Sequence, residues 1–203
     1  MKEQALSAEI YCDAAAPDLS IEPALHGINI VKTIAPWIKV LDDCVTILDI
    51  EAEPNSIHVD EVVWPHAQSD IAIVLTKRKL LGVNAPEQRR SQTAEVDLLG
   101  VTLTWYEPRF RQIVVADTSS IRRPEHIIAH EIGHVLGVEG SSEHPDDLHC
   151  RDRRCLMYPL QYRTGKSDRS FCECCSQQIH DNSLALRRAK TRRSRATHSE
   201  AKF

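Results

Sequence analysis

One segment of the sequence constrains the chain more than any other. Residues 124–137 read PEHIIAHEIGHVLG, and their apolar positions recur at helical spacing around a polar stripe. Pro124 suits the first turn of a helix and Gly137 suits a helix end, so we predict a helix over this range. His130 and His134 are four residues apart and project from the same face of that helix. The apolar residues on its other faces predict an internal helix whose polar face lines a cleft.

The two histidines and the glutamate between them form a pattern with a definite chemistry. Two imidazole nitrogens at this spacing can bind one Zn²⁺ at about 2.0–2.1 Å. Glu131 follows the first histidine, where its carboxylate can take a proton from an attacking water and return it to a leaving amine. The alternative is a surface helix with incidental histidines. His126, on the same helix, is predicted to start the helix or to support a ligand rather than to bind metal itself.

The residues after this helix resemble a known family. Metzincin zinc peptidases continue HExxH with xx–G–xx–H and a later Met-turn, but here Gly140 occupies the position of the last histidine. A histidine–cysteine pair comes later, at His149 and Cys150 in the string HCRDRRCLM, and FCECC follows. This order of His, Cys and Met resembles the archaemetzincins, a metzincin family, with nine residues inserted between Gly137 and His149. By motif, the resemblance covers residues 124–175.

The resemblance makes His149 the first candidate for a third ligand of a catalytic zinc. Lengthening a flexible loop from about 3 to 12 residues costs only about 1 kcal/mol of closure free energy, which is small beside metal binding. His144 is the alternative, because a shorter loop from Gly137 also reaches the metal. Carboxylates also bind zinc, so three acidic residues are further alternatives: Glu143, Asp146 and Asp147.

Four cysteines near the C-terminus have the spacing of a second metal site. They follow the order C-x4-C…C-x2-C and are Cys150, Cys155, Cys172 and Cys175. Four thiolates form a closed tetrahedral zinc site that stabilises structure, and the family resemblance implies this second zinc. Cys174 could replace either member of the last pair. Disulfides and free thiols are the alternatives to a metal.

The resemblance also gives a role to the methionine in this region. It implies that Met157 forms the Met-turn, an apolar base beneath the catalytic metal, whereas a lone methionine would otherwise be an ordinary core residue. Some metzincins use a tyrosine two residues after that methionine. Pro159 occupies this place here, so we assign no catalytic tyrosine. Cys12 and Cys44 fall in predicted strands, and we expect both to be buried and inert.

The rest of the chain predicts an α/β fold. Apolar spacing predicts a helix over residues 22–41 that Pro36 kinks or ends, and residues 77–100 read as a loop. We predict strands at 8–13, 44–52, 70–76, 101–106 and 111–118, with 61–65 as a short strand or loop. Strands alternating with helices indicate a mixed, mostly parallel, twisted sheet with flanking helices. The active-site helix and a small C-terminal zinc-bound subdomain complete this metzincin-like fold.

We divide the chain into one domain and a tail. Residues 1–186 form a single metallopeptidase domain, in which 1–137 hold the sheet and active-site helix and 138–186 hold the Met-turn and the cysteine zinc site. Residues 187–203 carry seven Arg and Lys side chains against Glu200, a net charge of +6. Because the whole chain carries −4, residues 1–186 carry −10. We expect a solvated, frayed tail, with nucleic acid or an acidic partner as its alternative use.

Composition is ordinary for a globular protein, with 42% hydrophobic and 27% charged residues. No stretch approaches the roughly 20 apolar residues that span a bilayer, so we expect no membrane association. The first ten residues lack the apolar core of a secretory signal, and seven cysteines, an odd number, argue against a disulfide framework. We therefore expect a cytoplasmic protein.

Taken together, these patterns predict a zinc-dependent peptidase acting on a peptide or protein. Glu131 favours an enzyme, because a structural zinc site has no use for a neighbouring carboxylate and prefers four protein ligands. The alternatives are another zinc hydrolase or a non-catalytic zinc-binding module that holds a partner or nucleic acid through its basic tail. We expect the substrate to lie extended along the edge strand 101–106.

Overall fold

Two sheets and three helices make up the described part of the chain. The computed structural model describes residues 4–16, 18–41, 46–59, 69–83, 95–104, 111–116, 123–138, 149–158 and 169–200. In chain order the elements are β1 (Leu6–Asp13), α1 (Glu22–Lys32), β2 (Ile38–Val40), β3 (Thr46–Leu48), β4 (Ser56–His58), β5 (Ile71–Thr76), β6 (Lys79–Val83), β7 (Glu95–Leu98), β8 (Gly100–Thr104), β9 (Arg111–Ala116), α2 (Pro124–Val135) and α3 (Glu173–Glu200).

The larger sheet has the strand order β2-β1-β5-β9-β8, and β3 pairs with the second half of β1. Every pair in it is parallel except β8 with β9, which is antiparallel. The mixed, mostly parallel sheet that the sequence predicts is therefore confirmed. Within the described residues β8 pairs with β9 alone, so it forms an edge of this sheet, as predicted.

Alternate residues of the central strands build two cores, one on each face of the sheet. In β5, Ile71, Ile73 and Leu75 pack with the helices, whereas Ala72 and Val74 pack toward the smaller sheet. This two-residue alternation is the normal geometry of a strand covered on both faces. Ile128 and Ile132 of α2 pack into the core on the helical face, so contact with the sheet positions α2.

The smaller sheet was not expected from the sequence. It pairs β4 with β6 in parallel and β6 with β7 in antiparallel orientation. The predicted loop over 77–100 is therefore wrong at both of its ends. The loop prediction rests on the breakers Asn84, Pro86 and Gly100. Leu80, however, is fully buried in the second core, and this tertiary contact decides the local structure. Residues 84–94 and the predicted segment 61–65 lie outside the described residues.

The first helix is shorter than its apolar spacing suggests. It ends at Lys32, and Ile38–Val40 instead form β2 beside Leu6–Ala8. Pro36 lies between the two elements and cannot continue a helix, and Ile38 is buried against the core once the chain extends. Of the predicted strand over 44–52, residues 46–52 are described, and among these Thr46–Leu48 pair with β1. Residues 44 and 45, and with them the prediction for Cys44, lie outside the described residues.

The basic C-terminal segment is helical rather than frayed. Helix α3 continues to Glu200, and Arg187 lies 5.5 Å from the ring centre of Trp37 and donates to the Gln4 carbonyl at 3.0 Å. Lys190 Nζ pairs with Asp70 Oδ2 at 2.6 Å. These contacts join the first turn of the segment to residues just before β1, β2 and β5. Because the segment is helical to Glu200, our expectation of a frayed tail is wrong for residues 187–200. The domain division at residue 186 stays a prediction.

None of the helices within the described ranges combines the length and the apolar character that crossing a lipid bilayer requires.

A buried ion pair closes the carboxyl end of the central strands. Arg78 donates from Nε and Nη2 to the two oxygens of Asp13, each at 2.7 Å, and Thr76 donates to the same carboxylate. Burial alone raises the pKa of Asp13, but these hydrogen bonds outweigh it, and the pKa lies below its ordinary value. Arg78 also donates to the carbonyls of Ile50, Ala52 and Glu53, so it anchors the chain before β4.

We predict that Asp13→Asn lowers the free energy of unfolding by about 3–5 kcal/mol at neutral pH, because it leaves the Arg78 guanidinium buried without a counter-charge. Since the folded pKa of Asp13 is depressed, the contribution of the carboxylate is present above about pH 4 and is lost as the pH falls further. The difference in urea midpoint between wild type and the Asp13→Asn variant should therefore become smaller as the pH falls below about 4. Asp18→Asn, which removes an exposed partner of Lys77, is the control and should leave the midpoint nearly unchanged.

Candidate metal centre

Helix α2 is buried from His126, its third residue, to Val135, except at the part-buried His134, and two of its polar residues are deeply buried. His130 is 1% exposed and Glu131 is 4% exposed. The helix ends with Gly137 in the left-handed region at φ 72°, where glycine is favoured, and the Val138 amide donates back to the Gly133 carbonyl at 3.0 Å. This turn directs the chain away from the helix axis, as the sequence predicts.

Three histidines meet beside this helix. One ring nitrogen from each of His130, His134 and His149 lies within 4.8 Å of the others. The ring centre of His149 stands 5.2 Å from that of His130 and 5.0 Å from that of His134. The structure therefore brings together the three histidines of the first-choice interpretation. The alternatives Glu143, His144, Asp146 and Asp147 lie outside the described residues.

The hydrogen bonds of His130 determine which of its nitrogens can bind a metal. Its Nδ1 lies 2.7 Å from the carbonyl oxygen of Leu156, which can only accept, so Nδ1 carries the hydrogen. In the neutral ring Nε2 then presents a lone pair, and it faces Nε2 of His134 at 3.1 Å. Two nitrogens bound to one tetrahedral Zn²⁺ would lie roughly 3.3 Å apart. The donor set and its spacing fit zinc.

Burial keeps the second histidine neutral. It lowers the pKa of His134 to about 4, and the nearby His149 acts in the same direction, while a hydrogen bond to the Val138 backbone opposes them. At neutral pH the ring therefore holds a lone pair rather than a positive charge, which is the form that a metal requires.

Glu131 meets the edge strand rather than the solvent. The hydroxyl of Thr102, in β8, donates to Glu131 Oε2 at 2.7 Å. Our reading of the sequence missed this threonine, because nothing in the VTLTWY string distinguishes it from an ordinary strand residue. Helix α2 thus carries the carboxylate as well as two of the three imidazoles, and β8 holds one oxygen of that carboxylate.

A methionine packs against α2 at the glycine between its two histidines. Met157 is fully buried, and a Cβ placed on Gly133 would collide with its sulfur atom. Gly133 lies between the two histidines of α2, so its lack of a side chain lets the methionine pack directly against the helix. His126 is buried as well, at 9% exposure, and is not among the residues of the histidine group.

The cysteine cluster lies next to this region in the chain. The four sulfur atoms of Cys150, Cys155, Cys172 and Cys175 lie within 4.8 Å of one another, and those of Cys150 and Cys172 are 3.7 Å apart. Sulfurs on one tetrahedral zinc lie roughly 3.8 Å apart, whereas a disulfide needs about 2.05 Å. All four cysteines are free, and Cys174 is exposed outside the cluster.

Hydrogen-bond donors surround one sulfur of the cluster, that of Cys155. A hydrogen bond with Cys175 lowers the pKa of Cys155 to about 5, against the effect of burial, and the amides of Cys172 and Met157 donate to the same sulfur at 3.3 and 3.4 Å. Burial raises the pKa of Cys150 to about 12. Donors around Cys155 stabilise negative charge on sulfur, so the cluster fits a structural zinc ion.

Comparison with known proteins agrees with this architecture. No family model matches the sequence, and no curated protein matches it. The structure is similar to that of archaemetzincin from Methanopyrus kandleri, with 15% identity and a TM-score of 0.56 over 88% of this chain and 95% of the other. Metalloproteinase-II from Bacteroides fragilis is similar over 89% of this chain and 53% of its own length, with 16% identity and a TM-score of 0.51. This chain therefore has an archaemetzincin-like fold.

Proposed function

We propose that this chain is a zinc-dependent peptidase. The observation that carries the proposal is the group of His130, His134 and His149 beside a helix that also carries Glu131. Three nitrogen ligands leave one position of a tetrahedral ion open, which is the arrangement of catalytic rather than structural zinc. The archaemetzincin-like fold supports the proposal.

In this proposal each residue of the site has a distinct task. A zinc ion held by the three imidazoles would supply a Lewis acid that lowers the pKa of water and polarises a carbonyl. Glu131 accepts the proton of the attacking water and then donates it to the leaving amine. Leu156 holds His130 in the tautomer that directs Nε2 to the site. Burial of these groups strengthens each of these interactions.

The cysteine cluster has a different task. Four thiolates fill every position of a tetrahedral ion, so a zinc ion there would be structural and not catalytic. It would tie the segment that holds His149 and Met157 to the start of α3, where Cys172 and Cys175 lie. We therefore propose two zinc ions in one chain.

The substrate class follows from the edge of the sheet. Strand β8 is an edge strand, and its face meets α2 at Glu131. An extended peptide can add to such an edge through backbone hydrogen bonds, which brings its carbonyls past the carboxylate. A non-catalytic zinc module would have no need for a buried carboxylate held in this position.

Replacement of the proposed general base gives the most direct test. Glu131→Gln should lower kcat/KM for peptide cleavage roughly 10²- to 10⁴-fold, because the amide cannot accept the proton of water. Both zinc ions should remain, since none of the proposed ligands changes. The measurement is mass spectrometry of a peptide library together with metal analysis. Glu125→Gln, in the first turn of the same helix, is the control and should keep full activity. A Glu131→Gln variant as active as wild type would contradict the mechanism.

Metal content distinguishes the candidates for the third ligand. We predict that His149→Ala reduces the bound zinc from two ions to one, because the open site loses a nitrogen. His144→Ala should keep both ions. Metal analysis after dialysis against a mild chelator measures the difference, and near-UV circular dichroism checks that both variants fold. Loss of zinc in the His144 variant alone would assign the ligand to His144 instead.

The cysteine cluster has a matched control in the adjacent exposed residue. Cys175→Ser should remove one zinc ion and destabilise the fold, since a buried thiolate ligand that joins α3 to the cluster is lost. Cys174→Ser should keep two zinc ions and the wild-type melting temperature. The reverse result would show that the other register of the CECC string binds the metal.

A further inference from the structure

The edge strand β8 reaches the carboxylate of Glu131 through one side chain. Thr102 Oγ1 lies 2.7 Å from Glu131 Oε2 and 3.0 Å from the backbone carbonyl of the same residue. A hydroxyl has one hydrogen, and the charged, nearer carboxylate oxygen is the stronger acceptor. The hydrogen bond thus connects the sheet to the side chain of Glu131, 29 residues away in sequence.

The neighbouring position on the same face of β8 completes this contact. Gly100 is two residues before Thr102, and a Cβ at Gly100 would lie 3.1 Å from Glu131 Cγ and 3.2 Å from Oε1. The strand therefore approaches Glu131 closely at Gly100 and donates a hydrogen bond to it from Thr102, the next residue on the same face. Together these two residues define where the carboxylate can lie.

We propose that Thr102 is a positioning residue for Glu131, an inference that rests on the peptidase function proposed above. A glutamate side chain has three rotatable bonds, and a general base must keep its carboxylate within hydrogen-bond reach of the attacking water. The Thr102 hydroxyl holds one carboxylate oxygen and so restricts these rotations before substrate binds. Because Glu131 is buried, this hydrogen bond to a charged group is stronger than a surface one.

The test compares two substitutions at one position. Thr102→Val keeps the shape of the side chain but removes the donor, and should lower kcat roughly 10- to 100-fold, the effect of losing a hydrogen bond to a charged group. KM and the content of two zinc ions should stay unchanged. Thr102→Ser restores the hydroxyl and should recover kcat to within a few-fold. Thr33→Val is the control, because the exposed Thr33 hydroxyl also donates to a helix carbonyl, that of Ile30, away from the site.

A second comparison separates positioning from a general loss of structure. In the Glu131→Gln background, Thr102→Val should cause no further fall in kcat, and the effects of the two substitutions on the urea midpoint should be non-additive. If Thr102→Val does not fold, Thr102→Ala takes its place in both comparisons. The inference is overturned if the Thr102 variant is as active as Thr33→Val, or if kcat falls equally in both backgrounds. A wild-type protein that binds zinc but cleaves no peptide would overturn the proposed function first, and the inference with it.

Discussion

One hydrogen bond connects the two candidate metal groups, and both depend on the segment that supplies its acceptor. His130 donates from Nδ1 to the Leu156 carbonyl at 2.7 Å. Leu156 lies between Cys155, whose sulfur belongs to the cysteine cluster, and Met157, which packs against α2 at Gly133. The Cys150 amide in turn donates to the Met157 carbonyl at 2.8 Å. Three consecutive residues thus supply a sulfur of the cysteine cluster, accept the hydrogen bond of His130 and pack against the helix. We therefore expect a change in the cysteine cluster to alter the geometry of the histidines.

The parts of the fold that the sequence predicts well are those in which local pattern and tertiary environment agree. Strands β1 and β5 and helix α2 are dense in apolar residues, and each is buried in the structure. The local pattern predicts the wrong structure where pairing with a distant strand determines the conformation. Ile38–Val40 continue the apolar spacing of α1, yet they extend because the Leu6 end of β1 offers an unpaired edge. The smaller sheet was missed for the same reason, since Leu80 becomes a core residue only when the face of β5 is already formed.

Some residues of the candidate site can be predicted from local sequence, whereas others are brought together only by the fold. The spacing of His130 and His134 is a local helical property and needs no knowledge of the rest of the chain. The placement of His149 and of the four cysteines relied on a family resemblance, because residues far apart in sequence can meet only through the fold. Thr102 could not be found from sequence, since its role follows from the packing of an edge strand against a helix. The contacts of Arg187 and Lys190 could not be predicted from sequence either, because the high positive charge of their segment indicated a solvated tail.

The position of His149 depends less on the number of residues between α2 and His149 than on the contacts that hold the two ends of this segment. At the first end Gly137 turns the chain at φ 72°, and Asn182 of α3 donates to its carbonyl at 2.9 Å. At the second end the amide next to His149, that of Cys150, is bound to the Met157 carbonyl. Neither contact involves the residues between them, so the position of His149 is set by the two ends and not by the number of residues that separate them. The residue ten positions after His130 is Gly140, which has no side chain to bind a metal. The contacts at the two ends of the segment instead place His149 beside His130 and His134.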